Sequence, residues 1–360
     1  MRAKSSLWFN HPLLSLILFL CFVLLSLPAC TSANQQGGAG KDQRQTKLTL
    51  GAYTTPREAY RELIPLFQEK WKEQTGQDVV FEESYLGSGA QSRAIVEGFE
   101  ADIAALSLEA DIIRIEDAGL ITHDWRSQSY GGMVSTSIVS FAVREGNPEQ
   151  ILDWSDLARP GLEVLTPNPK TSGGAMWNVL ALYGAANRGF VQGVPANDPD
   201  AVQAFLVSVL KNVTVMDKGA RESITNFEKG IGDVAITYEN EVLVGQASGQ
   251  TYDLVIPRST ILIQNPVALV DSYVDKHDTR EVAQAFIDFL FTKEAQEIFS
   301  RHGLRSPDPE VAKATESQYP AVEDLFTIDE FGGWPAATTN FFGDNGIYTL
   351  AAASLQGVKP

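Results

Sequence analysis

Residues 47–84 read KLTLGAYTTPREAYRELIPLFQEKWKEQTGQDVVFEES. KLTLGAY (47–53) is short, apolar and alternating, which predicts a strand. From Glu58 to Gln74 the residues Tyr60, Leu63, Phe67 and Trp71 recur at helical spacing. Pro65 inside that run predicts a kink, and Gly76 predicts the stop. DVVFEES (78–84) then predicts a second strand. The β-α-β-α rhythm signals an α/β fold with a mainly parallel sheet.

The rhythm continues outward. LGSGAQS (86–92) leads into a helix through Ile95 and Phe99, and ADIAALS (101–107) predicts a third strand. STSIVSFAV (135–143) and LEVLTP (162–167) predict strands on either side of a short helix and stop in DWSDLARPG (153–161). Asp198-Pro199 opens a helix with a capping residue and proline at its first position. Val202, Phe205, Leu206, Val209 and Leu210 mark its buried stripe. GDVAITYEN (232–240) predicts a strand followed by a helix, and PVALVD (266–271) a late strand. DTREVAQAFIDFLFTKEAQEIFS (278–300) predicts one long helix, with Asp278 and Glu281 as a capping pair and Val282, Phe286, Phe289 and Leu290 on its buried face. Ser306 to Pro360 shows no single period.

The 360 residues suit one large or two medium domains, and 44% apolar content supplies a substantial core. The formal net charge is −17. With no Lys/Arg cluster to offset it, that charge argues against nucleic acid or anionic lipid as a partner. Arg2 and Lys4 precede an apolar run from Leu13 to Leu27, which reads as an export signal over residues 1–29. A membrane anchor is the alternative, although a full span needs about 20 residues. Leu27-Pro28-Ala29-Cys30 resembles a lipoprotein processing site, with Pro28 atypical; Cys30 would then carry lipid. Residues 30–46 are polar and Gln- and Gly-rich, the composition of a flexible tether. The only cysteines are Cys21 and Cys30, so the body holds no internal disulfide or thiolate metal site.

Catalytic signatures are poor. His123, His277 and His302 lie far apart and lack metal-ligand spacing. There is no GxSxG elbow and no phosphate-loop motif, and GSGAQS lacks the third glycine of a dinucleotide fingerprint. No enzyme activity, cofactor or metal is expected. Four junctions instead share another pattern: Thr54-Thr55-Pro56, Ser88-Gly89, Ser172-Gly173-Gly174 and Lys218-Gly219-Ala220-Arg221 each precede a helix. Helix starts expose unpaired N–H groups and a partial positive end, so they bind anions. Each junction alone is a weak signal, since a Gly/Ser turn before a helix is most often ordinary capping, and spacing does not show that they converge.

The stretch NPKTSGGAMWNVLALYG (168–184) resembles the signature of bacterial periplasmic sulfate-binding proteins, the capture subunits of ABC importers. The resemblance runs through most of residues 47–335 and includes YTTPREAY, GSGAQ, SIVSFAVREGNP, DWSDLARPG, DKGARESITNF, GIGDVAITYENE and FTIDEFGGW. It implies a type II-like two-lobed α/β fold with ligand in the interlobe cleft and two crossover strands, near 135–143 and 264–271. It places lobe 1 at 47–140 plus 262–320 and lobe 2 at 141–261, with 321–360 unassigned. It implies that sulfate, or alternatively thiosulfate or another tetrahedral oxyanion, is held by the backbone of Thr54 and Ser88, the hydroxyl and N–H of Ser172, the N–H groups of Gly173, Gly174 and Ala220, and a ring donor at Tyr238. It further implies a periplasmic location and a membrane permease as partner. Three positions depart from the pattern: Thr54 stands where Asp is common, Met176 where Arg is expected, and Tyr238 where Trp is usual.

Overall fold

The computed structural model describes residues 45–356. The expected signal segment, Cys30 and nearly all of the tether lie outside the described residues. Ten strands form the sheet: β1 (Thr46–Tyr53), β2 (Val79–Leu86), β3 (Ile103–Ala105), β4 (Met133–Val143), β5 (Val164–Pro167), β6 (Val213–Asp217), β7 (Val234–Tyr238), β8 (Asp253–Val255), β9 (Ser259–Leu269) and β10 (Asp324–Phe326). The main order is β2-β1-β3-β9-β4-β7-β5-β6, with β8 beside β4 and β10 beside β9.

Besides the parallel β10-β9 pair, parallel pairing holds in two patches, β2-β1-β3 and β7-β5-β6. Between them β9 and β4 run antiparallel to each other and to their outer neighbours β3 and β7. These two strands are long because each pairs with its own patch along one part and with the other long strand along the rest. The β4 residues Ser135–Ile138 pair with β9, whereas Val139–Val143 pair with β7. The β9 residues Leu262–Pro266 pair with β4, and Val267–Leu269 with β3. Of PVALVD, Pro266 to Leu269 therefore end an 11-residue strand rather than form a short one, and Asp271 begins a helix.

The division recurs in the apolar cores. In one, α1 (Arg57–Thr75) buries Tyr60, Leu63, Phe67 and Trp71 at the predicted spacing. Phe286 packs edge-on against Phe67 and Phe81, with ring centroids 5.0 and 4.8 Å apart. Each such buried side chain contributes about 1.5–3 kcal/mol. Val134, Val267 and Leu269 belong to this core, whereas Val139, Phe141, Ile261 and Ile263 belong to another. The second core surrounds α4 (Gly173–Asn187), which is buried on all sides from Gly173 to Ala186, as a helix apolar all round must be. The tail that sequence left unplaced packs here: Phe326, Trp334, Phe341 and Tyr348 enter this core, and Trp334 meets Trp177 edge-on at 4.6 Å.

Two local expectations change. The α1 helix runs through Pro65, which lies on the exposed face, where water can serve the carbonyl that proline leaves without a donor. The long helix 278–300 is two helices, Arg280–Leu290 and Lys293–Arg301. Thr292 caps the second by accepting from the Ala295 N–H at 3.3 Å. Asp278 adopts a left-handed backbone (φ 57°) and forms no capping box.

Candidate functional site

All four junctions lie where a strand or loop turns into a helix. The starts of α1, of Ser88–Val96 and of Ala220–Glu228 have no side-chain cap. Their N-cap positions are Pro56, Gly87 and Gly219, residues without a capping oxygen. At α4 the cap is Ser172, whose Oγ accepts from the Ala175 N–H at 3.4 Å, leaving the hydroxyl proton free to donate elsewhere. Thr54, Ser88, Ser172, Ala220 and Tyr238 are all buried. A buried helix start with no cap leaves N–H groups in want of acceptors.

The glycines measure how closely the segments meet. A methyl carbon at Gly174 would stand 2.7 Å from Tyr238 Cε2 and 3.4 Å from both Ala220 Cβ and Ser172 Oγ. One at Gly173 would stand 2.6 Å from Ser107 Oγ and from Leu108 Cδ2. One at Gly87 would stand 2.6 Å from the Thr171 carbonyl oxygen and 2.8 Å from that of Lys218. The Ala90 N–H donates to the Thr171 carbonyl (3.2 Å), and Thr171 Oγ1 donates to the Lys218 carbonyl (2.8 Å). The starts at Ser88, Ser172 and Ala220 are thereby fastened together. Thr54 joins through its neighbours: Tyr53 lies 6.4 Å from Tyr238 between ring centroids, and the Thr55 carbonyl accepts from Arg221 at 3.3 Å. The geometry thus brings all seven expected residues into one region.

Side chains set the electrostatics. Arg221 spans the region as a fork, with its Nη atoms 2.8 and 2.9 Å from the Glu58 carboxylate and its Nε 2.7 Å from Glu241. Partial burial alone would raise the Glu58 pKa, but the Arg221 contact lowers it below the usual range. Ser88 Oγ donates to Asp111 Oδ2 (2.6 Å) and accepts from the Ser107 N–H (2.9 Å). That hydroxyl is committed, and what Ser88 offers the region is its backbone. Asp111 is buried, with its other oxygen on Arg114 at 2.5 Å. Burial raises the pKa values of Tyr238 and Tyr53 well above the usual phenol value, so both stay protonated. The Tyr53 hydroxyl is buried and has no hydrogen-bond partner.

Ser107 is the residue that sequence reading missed. Its carbonyl accepts from Trp177 Nε1 (3.0 Å) and Asn265 Nδ2 (2.9 Å), and its Oγ lies 2.6 Å from the Tyr238 hydroxyl. It follows the carboxyl end of β3, where open α/β sheets place ligands. Met176, which stands where Arg is expected, lines a 240 Å³ cavity with Gly89, Ser172, Arg93, Arg114 and Lys170. Among the described residues no group of three or more His, Cys, Asp or Glu is placed to hold a metal ion.

Comparison with known proteins shows the family. The family model described as bacterial extracellular solute-binding protein matches residues 48–305. A sulfate-binding protein of Synechococcus elongatus is 42% identical over 336 residues, 93% of this chain and 94% of its own. The sulfate-binding protein of Escherichia coli K12 is 41% identical over 85% of this chain and 92% of its own, and the thiosulfate-binding protein of the same organism is 35% identical over 84% and 89%. Among solved structures, the sulfate-binding protein of Mycobacterium tuberculosis H37Rv superposes with a TM-score of 0.75 at 35% identity, covering 83% of this chain and all of that one. With that family model spanning residues 48–305 and relatives at 41 and 42% identity over most of its length, the chain belongs to the bacterial extracellular solute-binding proteins.

Proposed function

We propose that the chain captures inorganic sulfate outside the cytoplasm and hands it to an ABC-type permease. The carrying observation is the gathering of uncapped, buried helix starts around Gly173-Gly174, where a Cβ at either glycine would collide with a neighbour. In this reading the backbone N–H groups of Thr54, Ser88, Gly173, Gly174 and Ala220 point at the anion, and the Ser172 hydroxyl and the Tyr238 region complete the shell; the Ser172 N–H, expected to join them, instead donates to the Asn168 carbonyl at 2.9 Å. A buried dianion forfeits much hydration. Each charge-assisted hydrogen bond returns about 1.5–3 kcal/mol, so several donors must crowd one ion. The relatives named for sulfate support the choice of ligand.

In this reading residues 47–140 plus 262–320 form one lobe and residues 141–261 the other, with the C-terminal segment riding on the second. Thr54 and Ser88 then come from one lobe and the remaining donors from the other. Ligand contacts complete only when the lobes close, so the anion favours the closed state. A lipid on Cys30 would tether the chain at the membrane surface. Binding proceeds without turnover. The three histidines of the body are engaged by carboxylates outside the cradle: His123 by Asp271, His277 by Glu100 and Asp102, His302 by Glu62.

The test is thermal stability of ligand-free protein with sulfate, thiosulfate, phosphate and molybdate. A ligand bound only by the folded state adds about 2.7 kcal/mol at a hundredfold excess over Kd. Sulfate should shift the midpoint most. A larger shift with thiosulfate would transfer the assignment to that ion, and no shift with any of the four would refute an oxyanion cradle.

A further inference from the structure

The 240 Å³ cavity that Met176 lines carries three cations, Arg93, Arg114 and Lys170, and one carboxylate, Asp111. Asp111 is spent: one oxygen receives Ser88 Oγ and the other Arg114, so the Asp111–Arg114 pair cancels in charge. Among the described residues no carboxylate and no hydrogen-bond acceptor engages the side chain of Arg93 or of Lys170, and the cavity keeps two positive charges. Arg126, Arg188, Arg221, Arg258, Arg280 and Arg305, by contrast, each meet a carboxylate. In a chain of net charge −17, two unpaired cations in one recess are a local exception.

Their place is the seam of the cradle. Gly89 and Ser172, both on the cavity wall, belong to two of the helix starts that form the cradle. A methyl carbon at Gly89 would stand 3.5 Å from Arg93 Nη1 and 3.4 Å from the Thr171 carbonyl oxygen. The Arg93 guanidinium therefore lies against the first turn of helix Ser88–Val96, beside the loop that carries Ser172. Lys170 is exposed whereas Ser172 and Met176 are buried, so the cavity leads from solvent inward. Phe342 and Tyr348 of the C-terminal segment form part of its wall and add no charge.

A dianion approaching this chain meets repulsion at long range. Helix-start amides do little against it there, because their field is confined to about the first turn. Unpaired charges in a recess with low-dielectric walls focus the field, and such funnels raise association rates by about 10- to 1000-fold. The geometry points to an antechamber: Arg93 and Lys170 draw sulfate to the seam between the Ser88 and Ser172 helix starts, and the amides then take it up. The inference rests on the sulfate reading above and deepens it, assigning arrival to the cations and retention to the amides.

The experiment is stopped-flow tryptophan fluorescence on ligand-free protein mixed with sulfate, giving association and dissociation rates, with Trp177 beside the cradle as reporter. Arg93→Gln, Lys170→Gln and the double variant are compared with wild type. Lys313→Gln is the control, an exposed cation on helix Pro309–Thr315, which contributes nothing to this cavity. Unfolding midpoints without ligand show that each variant is folded. At an ionic strength of about 10 mM the double variant should associate about tenfold more slowly than wild type. Each single variant should fall between them, dissociation should change less than about twofold, and Lys313→Gln should match wild type. The gap should narrow at about 150 mM, where screening shortens the reach of the charges. An association rate unchanged in the double variant overturns the antechamber. So does a loss carried by faster dissociation, which would make the cations part of the holding shell, or an equal slowing in Lys313→Gln, which would make total charge the cause. Failure of wild type to bind sulfate would instead overturn the underlying reading.

Discussion

Replacing Gly174 with alanine tests the cradle at its most crowded point. The added carbon would lie 2.7 Å from Tyr238 Cε2, nearer than real Cβ contacts come, and 3.4 Å from Ala220 Cβ and Ser172 Oγ. The Tyr238 ring or the first turn of α4 must move, and an N–H aimed at the ion loses its alignment. One charge-assisted hydrogen bond is worth about 1.5–3 kcal/mol, which raises Kd by roughly 10- to 150-fold. At a sulfate concentration a hundred times the wild-type Kd, ligand stabilisation should fall from about 2.7 to between about 1.3 and 0.3 kcal/mol. The assay is the sulfate-induced change in unfolding midpoint, with calorimetry giving Kd directly. The ligand-free variant should also lose stability, because overpacking a filled site costs about 1–3 kcal/mol. A larger residue at Gly174 would therefore mix unfolding with loss of binding, and alanine keeps the two separable. Wild-type affinity in Gly174→Ala would refute the idea that this loop holds the ion.

Two further expectations concern the surroundings of the cradle. Arg221→Met leaves the buried Glu241 carboxylate without its cation; urea unfolding should show a loss of about 3–5 kcal/mol, partly restored by adding Glu241→Gln, and a loss under about 1 kcal/mol would show that the fork is not structural. Asp271 is partly buried, which would raise its pKa, yet bonds from the His123 ring, the Thr122 and His123 N–H groups and Arg280 hold it far below the usual range. Its contribution is complete above the unfolded value of about 3.9 and is lost as pH falls toward the folded pKa. Denaturant midpoints of wild type should thus drop more steeply below about pH 5 than those of Asp271→Asn, and parallel curves would exclude a stabilising role for Asp271.

What sequence reveals here is local. Strands β1, β4 and β7 and the helix starting at Arg57 announce themselves through period and turn chemistry, as does each of the four junctions. Their convergence is invisible to spacing, because Thr54 and Ala220 are far apart in the chain and meet only through contacts such as Arg221 with Glu58. Ser107 was hidden inside a run read as a strand; nothing in ADIAALS distinguishes a strand residue from one just past the strand's carboxyl end. The break at Phe291-Thr292 was masked because apolar spacing continues across it with little change of phase. The tail from Ser306 resisted reading because its aromatic residues serve the second core from several short elements, none long enough to show a period.

The chain carries a net charge of −17, and two of the guanidinium groups near its cradle are paired with carboxylates. Arg221 faces two carboxylates, Glu58 and Glu241, and Arg114 faces Asp111. Each of these cations is already neutralised, and the Arg221 cluster is formally negative. An anion placed among them must be stabilised by something that the carboxylates do not cancel. Oriented backbone dipoles meet that need, because they are fixed by helix geometry and carry no counter-ion. The fork of Arg221 then serves a different end: it ties the Ala220 helix start to Thr55 and Glu58 at the head of α1. It fixes the direction in which the amides point, and the amides supply the field.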